Sequence, residues 1–269
     1  MSTLLVDIGN TRIKWALLRS ARITRPRAVA HRGTAAALQA LVRRAPRDVQ
    51  RVVAVCVAGT RLELALTAAV RARFGLRPEF IRSARSAAGV RNGYRDTWRL
   101  GADRWVAAIA AHSLARARPV LVANVGTALT LDAVDGDGRH VGGAIAPGPS
   151  TMIASLLAGT QGIRRRAKGA RSTTAKGARS TTAKGARPAA GRARGLFAAD
   201  TASALEAGAD FAAAALIDRA MAEARAGFKA RPLLLLTGGG AAQLSTYIRA
   251  PVRVVPDLVL RGLAILARG

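Results

Sequence analysis

The feature that most constrains the fold is a pair of apolar runs around a glycine turn, which occurs twice. Residues 4–9 (LLVDIG) and 13–18 (IKWALL) form the first pair, and residues 120–126 (VLVANVG) and 128–134 (ALTLDAV) form the second. Short apolar runs joined by a few turn residues predict β-hairpins. Because both halves of the chain open with such a hairpin, the sequence predicts an internally duplicated α/β protein rather than one doubly wound sheet.

Alternating helical and strand patterns follow each hairpin. In the first half they predict helices over 34–44, 60–73 and 101–115 and strands over 52–57 and 79–81, with Thr34 as the first N-cap. In the second half they predict strands over 140–145, 233–236 and 252–255 and helices over 150–159, 200–226, 240–248 and 257–268. A length of 269 residues suits two small domains. We place them at 1–115 and 116–269.

The positive charge is concentrated in one segment. Lys and Arg number 43 against 15 Asp and Glu, a net charge of +28 that would favour a polyanion as partner. Eleven basic residues and no acidic one fall in 164–194, where the octad KGARSTTA occurs at 168–175 and again at 176–183. We predict a disordered insert, because this segment has too little apolar surface to fold. The other arginines lack interleaved aromatics, so nucleic-acid binding is not favoured.

Composition excludes several classes of protein. The single cysteine, Cys56, rules out a disulfide framework and a multi-cysteine metal site. His31, His112 and His140 share no metal-ligand spacing, and we expect surface or core roles for them. The first twelve residues lack the features of a secretory signal, and glycines and prolines interrupt the longest uncharged run, 141–163. We therefore expect a cytoplasmic protein without a membrane span.

The first hairpin turn carries the groups that a phosphate site requires. Gly9 lets the backbone approach a ligand, and Asn10 and Thr11 can donate to phosphate oxygens. Asp7, at the end of the strand, could hold a hydrated Mg²⁺ by one carboxylate. Lys14 could reach the same phosphates. The alternative interpretation is a simple tight turn.

Two later segments complete a known layout. Asn124-Val125-Gly126-Thr127-Ala128 takes the same place in the second hairpin, and Thr237-Gly238-Gly239-Gly240 follows an apolar strand, as a phosphate or adenosine loop would. Neither a Walker loop nor a dinucleotide GxGxxG occurs. Two facing phosphate hairpins and a late glycine loop resemble the acetate and sugar kinase, Hsp70 and actin superfamily, with its ribonuclease H-like fold. On the outgoing strand, Asp132 fits a supporting group, a Mg²⁺-linked group or a capped strand end.

A fourth segment suggests the acceptor chemistry. Tyr94 precedes Gly101-Ala102-Asp103-Arg104, which begins a predicted helix. A carboxylate beside a guanidinium suits an acid substrate whose hydroxyl loses a proton, with Arg104 paired to the substrate and Asp103 accepting the proton. A surface ion pair at a helix start is the alternative.

Together these segments resemble type III pantothenate kinase, the family that includes the Bvg accessory factor. The matching segments, in family order, are DIGNTRIK (7–14), Tyr94, GADR (101–104), NVGTALTLD (124–132), GGAIAPG (142–148), DTASALEAG (200–208) and TGGG (237–240). The resemblance omits only about residues 161–197. It implies Mg²⁺-dependent transfer of phosphate from ATP to pantothenate, the first step of coenzyme A synthesis.

The resemblance also implies roles for individual residues. The ATP phosphates would be bound by Asp7, Ile8, Gly9, Asn10, Thr11, Arg12, Ile13 and Lys14, with Thr127 as a further ATP contact. Pantothenate would be bound by Tyr94, Gly101, Ala102, Asp103, Arg104 and Thr201, with Asp103 as the catalytic base. The family works as a homodimer whose active site borrows from both subunits.

This chain departs from the family pattern at Asn124 and at its insert. Many members have an aspartate at the position of Asn124, where it holds a monovalent cation such as K⁺ or NH₄⁺, and the amide lacks that charge. The insert interrupts the stretch before Thr201. Two other functions stay open at this point: a non-catalytic regulator that binds a polyanion through the insert, and a kinase for another small hydroxy acid.

Overall fold

A computed structural model describes residues 2–31, 33–167, 195–228 and 230–268. The first part contains β1 (Ser2–Ile8), β2 (Arg12–Arg19), β3 (Arg22–Ile23), β4 (Arg27–Ala30), α1 (Ala36–Arg44), β5 (Val49–Cys56), α2 (Thr60–Phe74), β6 (Glu79–Phe80), β7 (Ser86–Ala87), β8 (Val90–Arg91), a 3₁₀ turn at Thr97–Arg99 and α3 (Ala102–Ala115). The second part contains β9 (Val120–Val125), β10 (Ala128–Val134), β11 (His140–Pro147), α4 (Pro149–Gly159), α5 (Gln161–Ala167), α6 (Thr201–Gly227), β12 (Leu233–Thr237), α7 (Ala241–Leu244), β13 (Val252–Val254) and α8 (Leu258–Leu266).

The two large sheets have the same topology. The first has the order β3–β2–β1–β5–β6, with β4 also paired to β2, and the second has the order β11–β10–β9–β12–β13. In each sheet an antiparallel hairpin, β1–β2 or β9–β10, adds two parallel strands beside its first strand. The predicted duplication of an α/β unit is therefore confirmed.

Strand alternation divides the core into layers. Along β1, Leu4 and Val6 pack outward against α1 and α2, whereas Leu5 packs inward with α3 and α8. The second sheet repeats this arrangement, because Leu234 faces the cluster with α6 while Leu235 faces the middle layer. Successive side chains of a strand point to opposite faces. Because helices cover both faces of each sheet, the central strands are almost continuously apolar in sequence.

Helices α3 and α8 form the layer between the sheets. Trp105 and Ile109 of α3 are fully buried, and the alanines around them permit close packing. A Cβ at Gly262 would lie 2.1 Å from the Val106 carbonyl oxygen, so the crossing of the two helices requires glycine there. Although α8 ends the second half of the sequence, it packs against β1, β2 and β5 of the first. The division at residue 115 stays a prediction.

Three local predictions need correction. Helix α1 begins at Ala36 without a side-chain cap, so Thr34 is not its N-cap. Helix α7 spans only Ala241–Leu244 of the predicted 240–248. Helix α5 continues to Ala167, and Arg164 donates to the Leu157 carbonyl at 2.9 Å, so disorder is wrong for the start of the insert. The rest of the insert lies outside the described residues.

Candidate active site

Both hairpins point polar side chains into the space where α3 begins. Asp7 shares the inward face of β1 with Leu5, and its cross-strand partner is Lys14. In the second hairpin, Asn124 shares the inward face of β9 with Val122 and lies opposite Thr130. A site between the hairpins follows directly from the pleat and register of the two sheets.

Asp7 is the most strongly perturbed carboxylate of the site. Burial raises its pKa from 3.8 to about 7; the Lys14 ammonium opposes this rise and the neighbouring Asp103 adds to it. Among the described residues, no donor hydrogen-bonds the Asp7 carboxylate. A buried carboxylate that accepts no hydrogen bond from the described residues is suited to binding a cation.

These residues fit a magnesium ion bound together with phosphates. The part of the chain that is described contains no group of three or more His, Cys, Asp or Glu able to hold a metal by itself. Magnesium, however, is usually held by one or two carboxylates together with waters and substrate phosphates. Asp7, with Asp103 close by, supplies that kind of donor set.

Asp103 lies in the first turn of α3, where its Oδ1 accepts the Arg104 backbone N–H at 2.9 Å. Burial raises the pKa of this carboxyl, Arg104 lowers it and Asp132 raises it, and the net direction is upward. A carboxylate whose pKa lies above its ordinary value is a stronger general base. The raised pKa thus suits Asp103 to accept a proton.

Arg104 is held in place by a buried ion pair. Its Nε and Nη2 donate to the two oxygens of Asp132 at 2.9 and 2.7 Å, and its Nη1 donates to the Tyr94 hydroxyl at 3.1 Å. Burial lowers the pKa of the guanidinium, but its bonds to Asp132 raise it on balance. Three of the five N–H groups of an arginine are thereby used, which leaves two for an anionic substrate.

His140 completes this cluster. Its Nε2 donates to Asp132 Oδ1 at 2.8 Å, and its ring lies 5.7 Å from the Tyr94 ring. The Asp132 carboxylate therefore anchors both Arg104 and His140. The cluster is close-packed, since a Cβ at Gly93 would lie 1.8 Å from the His140 carbonyl oxygen and one at Gly143 would lie 2.5 Å from Arg104 Nη2.

Hydrogen bonds to backbone carbonyls hold the second hairpin turn in place. The Thr127 carbonyl accepts the Gly148 N–H at 2.9 Å and the Thr151 hydroxyl at 2.5 Å. The glycine loop packs on the same hairpin, where the Gly240 N–H donates to the Val125 carbonyl at 3.1 Å. Gly238 has a φ of +96° and approaches Val125 closely, so only glycine suits that position.

The structure brings most of the sequence-predicted residues together, but not Thr201. Asp7 and Lys14 lie near Asp103, and Asp103 adjoins Arg104, which contacts Tyr94. The side chains of Ile8 and Ile13 point to the opposite face of the first hairpin and are buried in the outer core with α1 and α2, so only their backbone can face a ligand. Thr201 is instead the first residue of α6, where Asp200 caps the helix by accepting two backbone N–H groups. No hydrogen bond joins Thr201 to Tyr94 or Arg104 in the described ranges.

Sequence reasoning left one supporting residue undecided and missed another. It left Asp132 among three alternatives, and the structure favours a supporting group, because its carboxylate binds Arg104 and His140. His140 was assigned only a core or surface role. The signal for Asp132 was its inward position on the strand after the hairpin turn; nothing in the sequence pattern separated His140 from a core histidine.

Comparison with solved structures shows the fold. The chain superposes on a candidate transcriptional activator of the Baf family from Campylobacter jejuni with a TM-score of 0.57 at 18% identity, covering 98% of both chains. It superposes on a candidate 2-dehydro-3-deoxygalactonokinase from Sinorhizobium meliloti with a TM-score of 0.56 at 18% identity, covering 99% of this chain and 98% of the other. The chain therefore has the duplicated fold of the acetate and sugar kinase, Hsp70 and actin class.

Sequence comparison then identifies the family. The model for "Type III pantothenate kinase" matches residues 3–223. Type III pantothenate kinases from Xanthomonas campestris pv. campestris and Aromatoleum aromaticum are 38% and 37% identical, each over 98% of this chain and 96% and 97% of their own lengths. The chain belongs to the type III pantothenate kinase family.

Proposed function

We propose that the protein transfers the γ-phosphate of ATP to the primary hydroxyl of pantothenate and forms 4′-phosphopantothenate, the first step of coenzyme A biosynthesis. The observation that carries this proposal is the Asp103 carboxylate beside the fixed Arg104 guanidinium, at the point where both hairpins converge. The kinase family supports ATP and pantothenate as the substrates. We place the reaction in the cytoplasm.

Each part of the site has a role in this reaction. The first hairpin, residues 7–14, binds the ATP phosphates, and Thr127 is a further ATP contact. Arg104 and Tyr94, with the backbone at Gly101 and Ala102, bind the acid substrate. Asp103 accepts the proton of the attacking hydroxyl as the oxygen bonds to the γ-phosphorus and the bond to ADP breaks. Positioning and charge account for most of the catalysis.

Two cations belong to the proposal. Asp7 would hold Mg²⁺, which neutralises phosphate charge when bound. A monovalent cation, K⁺ or NH₄⁺, would lie near Asn124, whose amide oxygen can bind a cation but adds no charge. The first assay should therefore contain both Mg²⁺ and NH₄⁺.

Asp103→Asn tests the base. The amide keeps the size of the side chain but cannot accept the proton, so kcat should fall by roughly 100-fold or more while ATP binding stays close to wild type. Asp96→Asn, at an exposed ion pair with Arg99, is the matched control. A kcat for Asp103→Asn within a few-fold of wild type would remove Asp103 from this role, and a wild type that makes no phosphopantothenate would remove the function itself.

The homodimer is also a proposal, and exposed apolar side chains support it. Helix α4 has an apolar sequence, yet none of its residues is buried. Ile145 on the edge strand β11 is 65% exposed and Phe197 before α6 is 95% exposed. Apolar surface of this kind marks an interface. We propose that a partner copy on this face contributes its Thr201 to the pantothenate pocket.

Ile145→Glu should therefore shift the protein from dimer to monomer in sedimentation velocity and raise the KM for pantothenate. Leu64→Glu, an exposed apolar residue on α2, is the control. An unchanged dimer would contradict an interface on this face. The non-catalytic regulator is not favoured, because the chain matches the kinase family over nearly its whole length.

A further inference from the structure

His31 is a buried side chain to which the roles above give no function. It follows β4, which pairs with β2 and so brings residue 31 beside the turn of the first hairpin. Its backbone N–H donates to the Thr11 carbonyl at 3.1 Å, and its Nε2 lies 2.6 Å from the Gly9 carbonyl oxygen. The residue is 5% exposed. His31, which is distant in sequence from the turn, thus contacts the turn from the side of the sheet where β4 lies.

The hydrogen bonds of His31 determine which ring nitrogen carries the proton. The Gly33 N–H donates to Nδ1 at 3.3 Å, so Nδ1 is the acceptor. Nε2 is then protonated and donates to Gly9. Both ring nitrogens are satisfied in one tautomer, and the ring therefore has a defined orientation over the turn.

This contact orients a peptide plane. In a trans peptide the C=O and N–H groups point in opposite directions. Because His31 holds the Gly9 carbonyl, the Asn10 N–H points to the other side of the turn, where Asn10 and Thr11 are exposed. The backbone bond to the Thr11 carbonyl restrains the next part of the turn in the same way. A donor held in advance loses less entropy when an anion binds.

From this geometry we infer that His31 is a positioning residue for the phosphates of ATP, acting through the Gly9–Asn10 peptide. The inference rests on the proposed function, since it takes this hairpin to be the phosphate site. His31 touches no reacting atom. Its contribution is to ATP affinity, equal in the ground state and the transition state, so its loss should raise the KM for ATP rather than lower kcat.

Three variants test the inference. His31→Phe keeps the ring and removes both nitrogens, whereas His31→Gln keeps an N–H donor near the position of Nε2. His112→Phe, at a partly buried histidine in the last turn of α3, controls for the loss of a histidine. For each variant we would measure kcat, both KM values and the Kd for Mg·ADP by calorimetry.

For His31→Phe we expect the KM for ATP and the Kd for Mg·ADP to rise about tenfold, a typical loss for one well-aligned hydrogen bond and the order that it imposes. The KM for pantothenate and kcat should stay within about twofold, and His31→Gln should recover most of the affinity. An unchanged Kd in folded His31→Phe, equal rises in both KM values, or no recovery in His31→Gln would overturn the inference.

Two further outcomes of these experiments also decide the inference. If His31→Phe does not fold, His31→Asn replaces it, since the shorter amide cannot reach Gly9; binding as tight as that of His31→Gln would then contradict the inference. If the wild type phosphorylates no pantothenate, the proposed function fails, but the Kd for Mg·ADP still decides the role of His31.

Discussion

The two hairpins share one backbone plan but carry different chemistry. In the first, the inward pair nearest the turn is Asp7 with Lys14; in the second, the corresponding pair is Asn124 with Thr130. One charged pair is thus replaced by an amide and a hydroxyl. A duplicated strand order provides two similar frames, and the side chains at equivalent positions decide what each frame binds.

At the next inward-facing pair, further from the turn, the second hairpin carries the charge and the first does not. There the first hairpin has Ala16 opposite Leu5, whereas the second has Asp132 opposite Val122. Ala16 merely packs in the middle layer, but Asp132 anchors Arg104. The first hairpin therefore places its charge at the turn, where we propose that phosphates and metal bind, and the second places it further from the turn, where it holds Arg104.

The largest effect should come from making the first hairpin neutral like the second. Asp7→Asn removes the carboxylate that would bind the metal, so kcat/KM for Mg·ATP should fall by roughly 100-fold or more. Steady-state kinetics at several Mg²⁺ concentrations would measure this. Asp48→Asn, at an exposed ion pair with Arg19, should change little. A kcat/KM for Mg·ATP close to wild type in Asp7→Asn would show that a neutral residue serves as well as the carboxylate in the first hairpin.

The next effect should come from giving the second hairpin the residue of the first. Asp132→Ala leaves Arg104 buried without its partner, which should cost about 3 kcal/mol in unfolding free energy. The KM for pantothenate should rise about tenfold while the KM for ATP stays unchanged, because one arginine–carboxylate hydrogen bond loses its alignment. Denaturant titration and kinetics measure the two effects.

The control for that substitution is Asp257→Ala, which breaks a more exposed ion pair with Arg261 and should cost no more than about 1 kcal/mol. Equal losses of unfolding free energy in the two variants would show that the buried Asp132–Arg104 ion pair stabilises the protein no more than an exposed one.

A smaller effect concerns pH. The pKa of Asp7 is about 7 in the folded protein, above the ordinary 3.8, so its stabilising contribution is complete below 3.8 and is lost as pH rises through about 7. Relative to Asp7→Asn, the ligand-free wild type should lose about 2 kcal/mol of unfolding free energy between pH 5.5 and 8. Urea titrations at both pH values test this, and parallel pH curves for the two proteins would contradict the raised pKa.

The smallest effect should come from Asn124→Asp, which gives the second hairpin the carboxylate of the first. We expect a few-fold stronger activation by K⁺, because a formal charge strengthens a cation site. Activity with K⁺ against activity with tetramethylammonium would measure it. Asp137→Asn, on an exposed turn, is the control. An unchanged ratio would place the monovalent cation away from Asn124.

Much of the fold could be predicted from local pattern. The hairpins, most helices and the parallel strands were predicted because apolar periodicity and turn residues are local signals. The short pairing strand β4 was missed, since RAVA has no pattern of its own and forms a strand only through its register with β2. Thr34 failed as a cap because α1 starts two residues later, at a position without a capping side chain.

The amino-acid sequence by itself determined the duplicated hairpins, the order of the motifs and hence the family. It also predicted Asp7, Asp103 and Arg104 as site residues, because each lies at a strand end or helix start within three residues of a glycine; their roles stay predictions. Only the tertiary structure decided that Asp132 and His140 support Arg104 and that His31 braces Gly9. These are hydrogen bonds between elements far apart in the chain, and their partners depend on sheet register and helix packing, which no local pattern encodes.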